Sequence, residues 1–212
     1  MSTFKAALFD LDGTLIDSET QYSVFWTEMG KVYHPDKPDF AKSIKGTTLT
    51  HILDTYFPDA ELQERIVRRL YEYENSMDFS LVPGADTFLA SLKEHNIKCA
   101  VVTSSNRDKM KLVYDKQTEF MRLFDAVLTS EDFSESKPDP CCYLNAAKTL
   151  QTTPGECVVF EDAFNGINAG RNAGMFVVGL ATENSREQIE KLCNHVIDDY
   201  VDFSYDDLVR LI

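Results

Sequence analysis

An almost wholly apolar segment near the start of the chain ends in two carboxylates. Residues 4–9 (Phe-Lys-Ala-Ala-Leu-Phe) lead directly into Asp10-Leu11-Asp12-Gly13-Thr14. Because the run lacks polar alternation, it predicts a strand that is buried on both faces, as in a parallel sheet. Asp10 and Asp12 would then lie at the carboxyl end of that strand, where open α/β sheets bind their ligands. Two carboxylates there are costly unless a cation or a proton neutralises them, so the segment predicts chemistry as well as structure.

The same spacing of acids has two structural alternatives. A turn with helix-capping aspartates would also place carboxylates at this point. A calcium-binding loop is disfavoured, because no further ligands and no bidentate Glu follow Asp12 at the spacing that such a loop needs. The functional interpretation therefore depends on what the other strand ends carry.

Apolar runs recur in the second part of the chain, where they alternate with helical patterns. They lie at residues 97–103, 126–128, 157–160 and 176–179, with a weaker run near Val196. Strands that alternate with helices predict an α/β fold, here a Rossmann-like doubly wound parallel sheet. The strand that precedes Asp10 belongs to the same predicted sheet.

Residues 17–82 show helical spacing of apolar side chains and no convincing strand. The helical pattern begins after Ser18-Glu19-Thr20-Gln21, which has the form of a capping box. We therefore expect an inserted helical domain at residues 17–82, within an α/β core that is formed by residues 1–16 and 83–212.

Composition excludes several classes of partner. The 212 residues carry a formal net charge of −14, which disfavours a nucleic-acid backbone or an anionic membrane as a partner. No apolar run approaches the ~18 residues of a membrane span, and Met1-Ser2-Thr3 leaves no room for a signal peptide.

The five cysteines include no Cys-x-x-Cys pair, so they favour free thiols in a reducing cytoplasm. We expect a cytoplasmic monomer.

A cluster of polar side chains follows the second apolar run. Thr103-Ser104-Ser105-Asn106 comes directly after this run and leads into a helical pattern. Hydroxyl groups and backbone N–H groups at such a position can bind an anion. An ordinary helix cap explains the same residues equally well.

Lys137 lies in a loop between two further predicted elements. Pro138 and Pro140 stiffen the backbone around it and limit where its amine can reach. A single loop lysine is usually solvated, so Lys137 gains interest only from the motifs around it.

Glu161 and Asp162 repeat the pattern of the first motif. They follow the apolar run at residues 157–160, and Gly166 comes shortly after them. Helix capping by Asp162 is the structural alternative. Two parallel strands that deliver acids to one edge favour a site for a hard cation such as Mg²⁺.

The order Asp10-x-Asp12-Gly-Thr, Thr103, Lys137, Glu161-Asp162 resembles the four signature motifs of the haloacid dehalogenase superfamily. The helical insertion after the first motif resembles the cap domain of its β-phosphoglucomutase-like and sugar-phosphatase branch. The resemblance covers essentially the whole chain.

The resemblance implies a magnesium-dependent phosphatase that acts on a small phosphorylated metabolite, with a sugar phosphate as the expected class. Asp10 would be the nucleophile and Asp12 the general acid and base. Asp10, Asp162 and the backbone carbonyl of Asp12 would hold Mg²⁺, and Glu161 is a weaker candidate ligand. Thr103 and Lys137 would complete the catalytic set by binding the phosphoryl oxygens. Ser104, Ser105 and Asn106 are further candidate substrate-binding residues.

The resemblance also points to a cap loop that closes over the substrate. Its counterpart here is Ile44-Lys45-Gly46-Thr47, so Lys45 and Gly46 are candidate substrate-binding residues. A surface position for Lys45 is the equally good alternative.

The main rival function is a β-phosphoglucomutase-type isomerase. Those mutases carry an arginine four residues after the cap-loop lysine, where this chain has Leu49. They also carry a histidine where this chain has Tyr22. The two departures favour hydrolysis over isomerisation. A pyrophosphatase is a weaker alternative. A dehalogenase needs no second acid and no magnesium, and a non-catalytic binding module would be expected to lack a motif carboxylate.

Overall fold

The computed structural model describes residues 4–45 and 47–212. Within them lies one sheet of six parallel strands, in the order β3-β2-β1-β4-β5-β6. The prediction of a Rossmann-like doubly wound parallel sheet is confirmed. The strands are β1 (Ala6–Phe9), β2 (Lys98–Val102), β3 (Ala126–Leu128), β4 (Cys157–Glu161), β5 (Phe176–Leu180) and β6 (His195–Ile197).

Eleven α-helices accompany the sheet in the described part of the chain. None of them is both long and apolar enough to cross a membrane. The helices are α1 (Glu19–Tyr33), α2 (Phe40–Ser43), α3 (Leu49–Tyr56), α4 (Ala60–Ser76), α5 (Ala85–Glu94), α6 (Arg107–Lys116), α7 (Thr118–Met121), α8 (Cys141–Thr149), α9 (Phe164–Asn172), α10 (Arg186–Ile189) and α11 (Tyr205–Leu211).

The first strand lies at the centre of the sheet and is buried on both faces. Phe9 packs with α5, α6 and α11 on one face, and its ring stacks on that of Phe160 at 4.6 Å. Leu8 points to the other face, where α8, α9 and α10 cover it. Full burial of a side chain such as Leu8 or Phe9 stabilises the fold by roughly 1.5–3 kcal/mol. This double burial is the physical reason why the run carries no polar alternation.

The register of the three central strands brings their carboxyl ends together. Phe9 is paired with Val101 on β2 and with Phe160 on β4. The residues that follow these positions therefore emerge at one edge of the sheet, beside the point between β1 and β4 where the strand order reverses. Open α/β sheets bind their ligands at such a point.

Helices α1 to α4 pack around a hydrophobic cluster of their own. Trp26 is buried there, with its ring edge-on to Phe25 at 5.1 Å. The unit is joined to the sheet by two neighbouring connections, in which the Asp17 N–H donates to Ser80 O at 2.8 Å and the Val82 N–H donates to Leu15 O at 2.9 Å. The helical unit therefore enters and leaves the core at one place.

The predicted capping box at the start of α1 is not formed. Ser18 is the N-cap residue, but its side chain makes no capping hydrogen bond. Its hydroxyl instead donates to Asp12, and the Gln21 side chain donates to Asp78 O at 2.8 Å. The sequence pattern was misleading because a carboxylate from the first motif competes for the Ser18 hydroxyl.

Candidate active site

Lys137 joins the ends of three strands. Its Nζ donates to Asp10 Oδ1 at 2.6 Å, to Glu161 Oε1 at 2.6 Å and to Val102 O at 3.1 Å. The residue is only 2% exposed, so it is not the solvated loop lysine that its sequence position alone would suggest. A buried ammonium is tolerated here because three oxygen atoms accept from it.

The pKa values of this cluster follow from burial and mutual attraction. Burial raises the pKa of Asp10 to about 8; Lys137 opposes the shift, while repulsion from Glu161 and Asp12 adds to it. Burial by itself lowers the pKa of Lys137, but attraction to Asp10 and Glu161 outweighs burial, so its pKa is raised. Lys137 therefore remains charged, and a further cation would help to keep every carboxylate ionised.

Protein donors engage both oxygen atoms of Glu161. Oε1 accepts from Lys137 and from Tyr143 Oη at 2.9 Å, and Oε2 accepts from the N–H groups of Asp162 and Ala163 at 3.1 and 3.2 Å. Gly166 leaves room for this carboxylate, because a Cβ there would lie 1.6 Å from Glu161 Oε1. Glu161 is thus held firmly beside Lys137.

Asp162 is fully buried beside the same cluster. Its Oδ1 accepts from Thr14 Oγ1 at 3.1 Å, and its backbone oxygen accepts from Asn184 Nδ2 at 3.0 Å. Helix α9 has Ala163 as its N-cap residue and no side-chain cap, so Asp162 does not have the capping role that was its structural alternative.

Three buried carboxylates could hold a metal ion. Asp10, Glu161 and Asp162 each offer an oxygen, and these atoms lie within 4.8 Å of one another. An all-oxygen set of carboxylates suits a hard cation such as Mg²⁺. The residues present therefore fit the predicted cofactor.

Asp12 lies at the mouth of the site, and three side chains donate to its carboxylate. Ser18 Oγ donates to Oδ1; Ser105 Oγ, at 3.0 Å, and the ammonium of Lys109 donate to Oδ2. Lys109 lies on α6, is 4% exposed, and also lies over the ring of Tyr22 at 4.2 Å. Asp12 is therefore ion-paired and held on both oxygen atoms.

Residues 103–106, which follow β2, contribute polar groups to the site and to the start of α6. Thr103 Oγ1 accepts from the Ser105 N–H at 3.0 Å, and all four residues of the segment, Thr103, Ser104, Ser105 and Asn106, line the cavity. Asn106 is the N-cap of α6, where its Oδ1 accepts from the Lys109 N–H at 2.9 Å. The capping alternative holds for Asn106, whereas a contact of this residue with phosphate stays a prediction.

The loop after α2 approaches the core at the opposite side of the cavity. Lys45 forms an ion pair with Glu183, and its backbone oxygen accepts from Asn165 Nδ2 at 2.9 Å. Thr48 Oγ1 and Ser136 Oγ lie 2.9 Å apart, which joins this loop to the loop of Lys137. Gly46, the other predicted cap residue, lies outside the described residues.

These side chains surround a cavity of about 120 Å³ between the sheet edge and the helical unit. Asp10, Asp12, Asp162 and Thr103 form its polar side, and Trp26 and Leu49 belong to its helical side. The space suits a small molecule rather than a macromolecular segment.

Sequence reasoning missed Lys109 and Tyr143, which touch the motif carboxylates. Tyr143 is fully buried on α8 and reaches Glu161, and Lys109 reaches Asp12. One signal was available for Lys109, because it shares the buried face of α6 with Met110 and Val113. A charged side chain on an apolar helix face suggests a buried partner.

The fold and this arrangement of motif residues define an enzyme of the α/β class, with its site at the carboxyl edge of a doubly wound parallel sheet. The sequence model of the family described as haloacid dehalogenase-like hydrolase matches residues 7–180. The chain belongs to this family.

Similar proteins agree with that assignment. The chain is 30% identical over 190 residues to β-phosphoglucomutase of Bacillus subtilis (strain 168), covering 83% of each chain. It is 31% identical over 192 residues to validoxylamine A 7'-phosphate phosphatase of Streptomyces hygroscopicus subsp. limoneus, covering 88% of this chain and 90% of the relative.

A solved structure matches over nearly the full length. The crystal structure of HAD hydrolase, family IA, variant 3 from Entamoeba histolytica HM-1:IMSS superposes with a TM-score of 0.82 at 26% identity, and covers 98% of this chain and 99% of that one. The predictions of the family and of a phosphatase-type enzyme are confirmed.

Proposed function

We propose that the chain is a magnesium-dependent phosphatase that hydrolyses a small phosphorylated metabolite, with a sugar phosphate as the expected class, through an aspartyl-phosphate intermediate. The observation that carries the proposal is the buried cluster of Asp10, Lys137, Glu161 and Asp162 at the sheet edge. Phosphoryl transfer depends mainly on positioning and on charge neutralisation, and this cluster supplies both.

Two aspartates would perform the covalent chemistry. Asp10 attacks the phosphorus atom, the bond to the ester oxygen breaks, and Asp12 gives its proton to the leaving oxygen. Asp12 then takes a proton from the water that attacks the phosphoryl group on Asp10. The bond between that group and Asp10 breaks, phosphate leaves, and both aspartates return to their starting states.

The remaining residues of the site would bind Mg²⁺ and the phosphoryl oxygens. Asp10, Asp162 and the backbone carbonyl of Asp12 would hold Mg²⁺, which when bound neutralises charge on the phosphoryl oxygens. Lys137 and Thr103 would bind those oxygens directly. A protein with a net charge of −14 repels a phosphate ester at long range, so a local positive centre is needed.

We also propose that residues 17–82 act as a cap, with residues 1–16 and 83–212 as the catalytic core. Support comes from the separate hydrophobic cluster of the helical unit and from the cavity that lies between this unit and the sheet edge. Lys45 lines this cavity and remains a candidate for substrate binding. Closure of the cap over a bound substrate would exclude water and strengthen the interactions inside the site.

A β-phosphoglucomutase-type isomerase is the second candidate, because one relative carries that name. Leu49 and Tyr22, the two departures from the mutase pattern, both line the cavity. Leu49 offers neither a charge nor a donor, and the Tyr22 hydroxyl donates to Glu74 at 2.8 Å. Hydrolysis is therefore the function that these residues support better.

A panel of phosphate esters tests the proposal. Hexose phosphates, nucleotides and pyrophosphate are incubated with the enzyme and Mg²⁺, and released phosphate is measured. We expect release from at least one monoester and no release by the Asp10→Asn variant. The exposed Asp86 on α5 provides the matched control, because Asp86→Asn changes the same chemical group away from the site.

A second assay separates hydrolysis from isomerisation. The enzyme is given Mg²⁺, β-glucose 1-phosphate and a trace of glucose 1,6-bisphosphate, and phosphate and glucose 6-phosphate are followed together. A hydrolase releases phosphate. Rapid formation of glucose 6-phosphate with little phosphate would contradict the proposal.

A further inference from the structure

Lys109 is a buried cation that the proposed chemistry does not use. Its ammonium donates to Asp12, lies 4.2 Å from the centre of the Tyr22 ring, and is only 4% exposed. Tyr22 in turn donates its hydroxyl to Glu74 at 2.8 Å; burial raises the pKa of Glu74, and attraction to Lys109 opposes that rise. Asp12 and Lys109 belong to the core, whereas Tyr22 and Glu74 belong to the helical unit.

The charges around Lys109 disfavour a role in binding the substrate. Lys109 is ion-paired with Asp12, and Glu74 lines the same cavity, so this part of the cavity carries no surplus of positive charge. A site for a second anionic group would need such a surplus. The ammonium of Lys109 instead neutralises carboxylate charge that the protein itself supplies.

A purely structural role is also disfavoured, because another lysine on the same helix face already joins α6 to the helical unit. Lys116 lies seven residues after Lys109, donates to Met77 O at 2.6 Å and lies 5.1 Å from the centre of the Phe79 ring. It touches no motif residue among these contacts. The distinguishing property of Lys109 is therefore its bond to Asp12.

The bond from Lys109 to Asp12 can restrict the orientation of the Asp12 carboxylate. A carboxylate on a short side chain rotates about two bonds, and Ser105 alone would leave Asp12 Oδ2 with one donor. Lys109 adds a charge-assisted bond whose direction is restricted, because the ammonium also lies against the Tyr22 ring. Small displacements of a reacting group lower catalytic rates strongly, by as much as ~100-fold for ~1 Å.

We propose that Lys109 is a positioning residue that holds the carboxylate of Asp12 in the orientation needed to take a proton from the attacking water, with the Tyr22 ring packed against the lysine from the helical unit. This inference rests on the proposed function, because it assigns Lys109 a role only through Asp12. It adds a residue from α6 to a site that the sequence motifs alone did not connect to that helix.

A double-mutant cycle tests the proposal with p-nitrophenyl phosphate and Mg²⁺. Lys109→Met is made alone and together with Asp12→Ala, and Lys116→Met in both backgrounds is the matched control. We expect Lys109→Met to lower kcat by ~10–100-fold with little change in KM, and to have an effect below ~2-fold once Asp12 is alanine. Lys116→Met should change kcat by the same small factor in both backgrounds.

Other outcomes would overturn the proposal. An undiminished effect of Lys109→Met in the Asp12→Ala background would assign Lys109 to the fold, and a rise in KM with kcat retained would assign it to substrate binding. If the Met variant does not fold, Lys109→Gln replaces it, because glutamine keeps a hydrogen-bond donor but removes the charge. An unchanged kcat in Lys109→Gln would overturn the proposal. Full activity of Asp12→Ala alone would refute the proposed function itself, and this inference with it.

Discussion

Lys137 Nζ lies 2.6 Å from Asp10 Oδ1, although the two residues are 127 positions apart in the chain. The contact exists because β1 and β2 end at one edge of the sheet and the loop of Lys137 turns back over that edge. It places a buried ammonium against the carboxylate that we propose as nucleophile.

Replacement of Asp10 by Asn should abolish turnover. The amide keeps the shape of the side chain but cannot attack phosphorus, so kcat should fall by at least ~1000-fold. Phosphate release under saturating substrate measures the effect. A near wild-type rate in this variant would show that the covalent mechanism is wrong.

Removal of the metal should have a similar effect. Excess chelator should stop turnover, and Asp162→Ala should lower it strongly, because Asp162 contributes one of the three clustered carboxylates. Isothermal titration with Mg²⁺ should show weaker binding to this variant than to the wild type. Full activity in excess chelator would remove the cation from the mechanism.

Gly166→Ala should damage the site through Glu161. The added Cβ would lie 1.6 Å from Glu161 Oε1, so the carboxylate must move away from Lys137. We expect a loss of roughly 1–3 kcal/mol of unfolding free energy, measured by urea denaturation, together with lower activity. Gly155→Ala is the control, because a Cβ there meets nothing within 4 Å. Equal stability of the two variants would contradict this account.

Alkaline pH should destabilise the protein through its buried thiols. Burial raises the pKa of Cys99 to about 12, above the ~8.5 of a thiol in an unfolded chain. Between these values the unfolded state has lost its proton and the folded state has kept it. The stabilising effect is therefore complete below pH ~8.5 and declines as the pH rises towards 12, by ~1.4 kcal/mol per pH unit.

Denaturant unfolding of Cys99→Ala over this pH range measures the effect. The unfolding free energy of this variant should decline less steeply with rising pH than that of the wild type, with a difference of ~1.4 kcal/mol per pH unit. Cys141→Ala is the control, because the Cys141 thiol is partly exposed; burial and the neighbouring Asp139 raise its pKa, whereas hydrogen bonds to the backbone lower it. Identical slopes for the wild type and Cys99→Ala would contradict the prediction.

The sequence by itself determined the sheet and the order of its motifs. Runs without polar alternation predicted β1, β2, β3, β4 and β5, because burial on both faces requires every side chain of a strand to be apolar. The same information placed Asp10, Thr103 and Glu161 at strand ends, and parallel strands deliver such residues to one edge. The cluster of buried carboxylates at the sheet edge followed from this topology.

Only the tertiary structure decided how the polar side chains are shared out. The Ser18 hydroxyl donates to Asp12 rather than capping α1, Asn106 caps α6, and Lys109 completes the shell around Asp12. Each choice is a competition between a local partner and one distant in sequence. Local sequence patterns predict only partners that are close in sequence. Partners that are distant in sequence come together only when the chain packs in three dimensions.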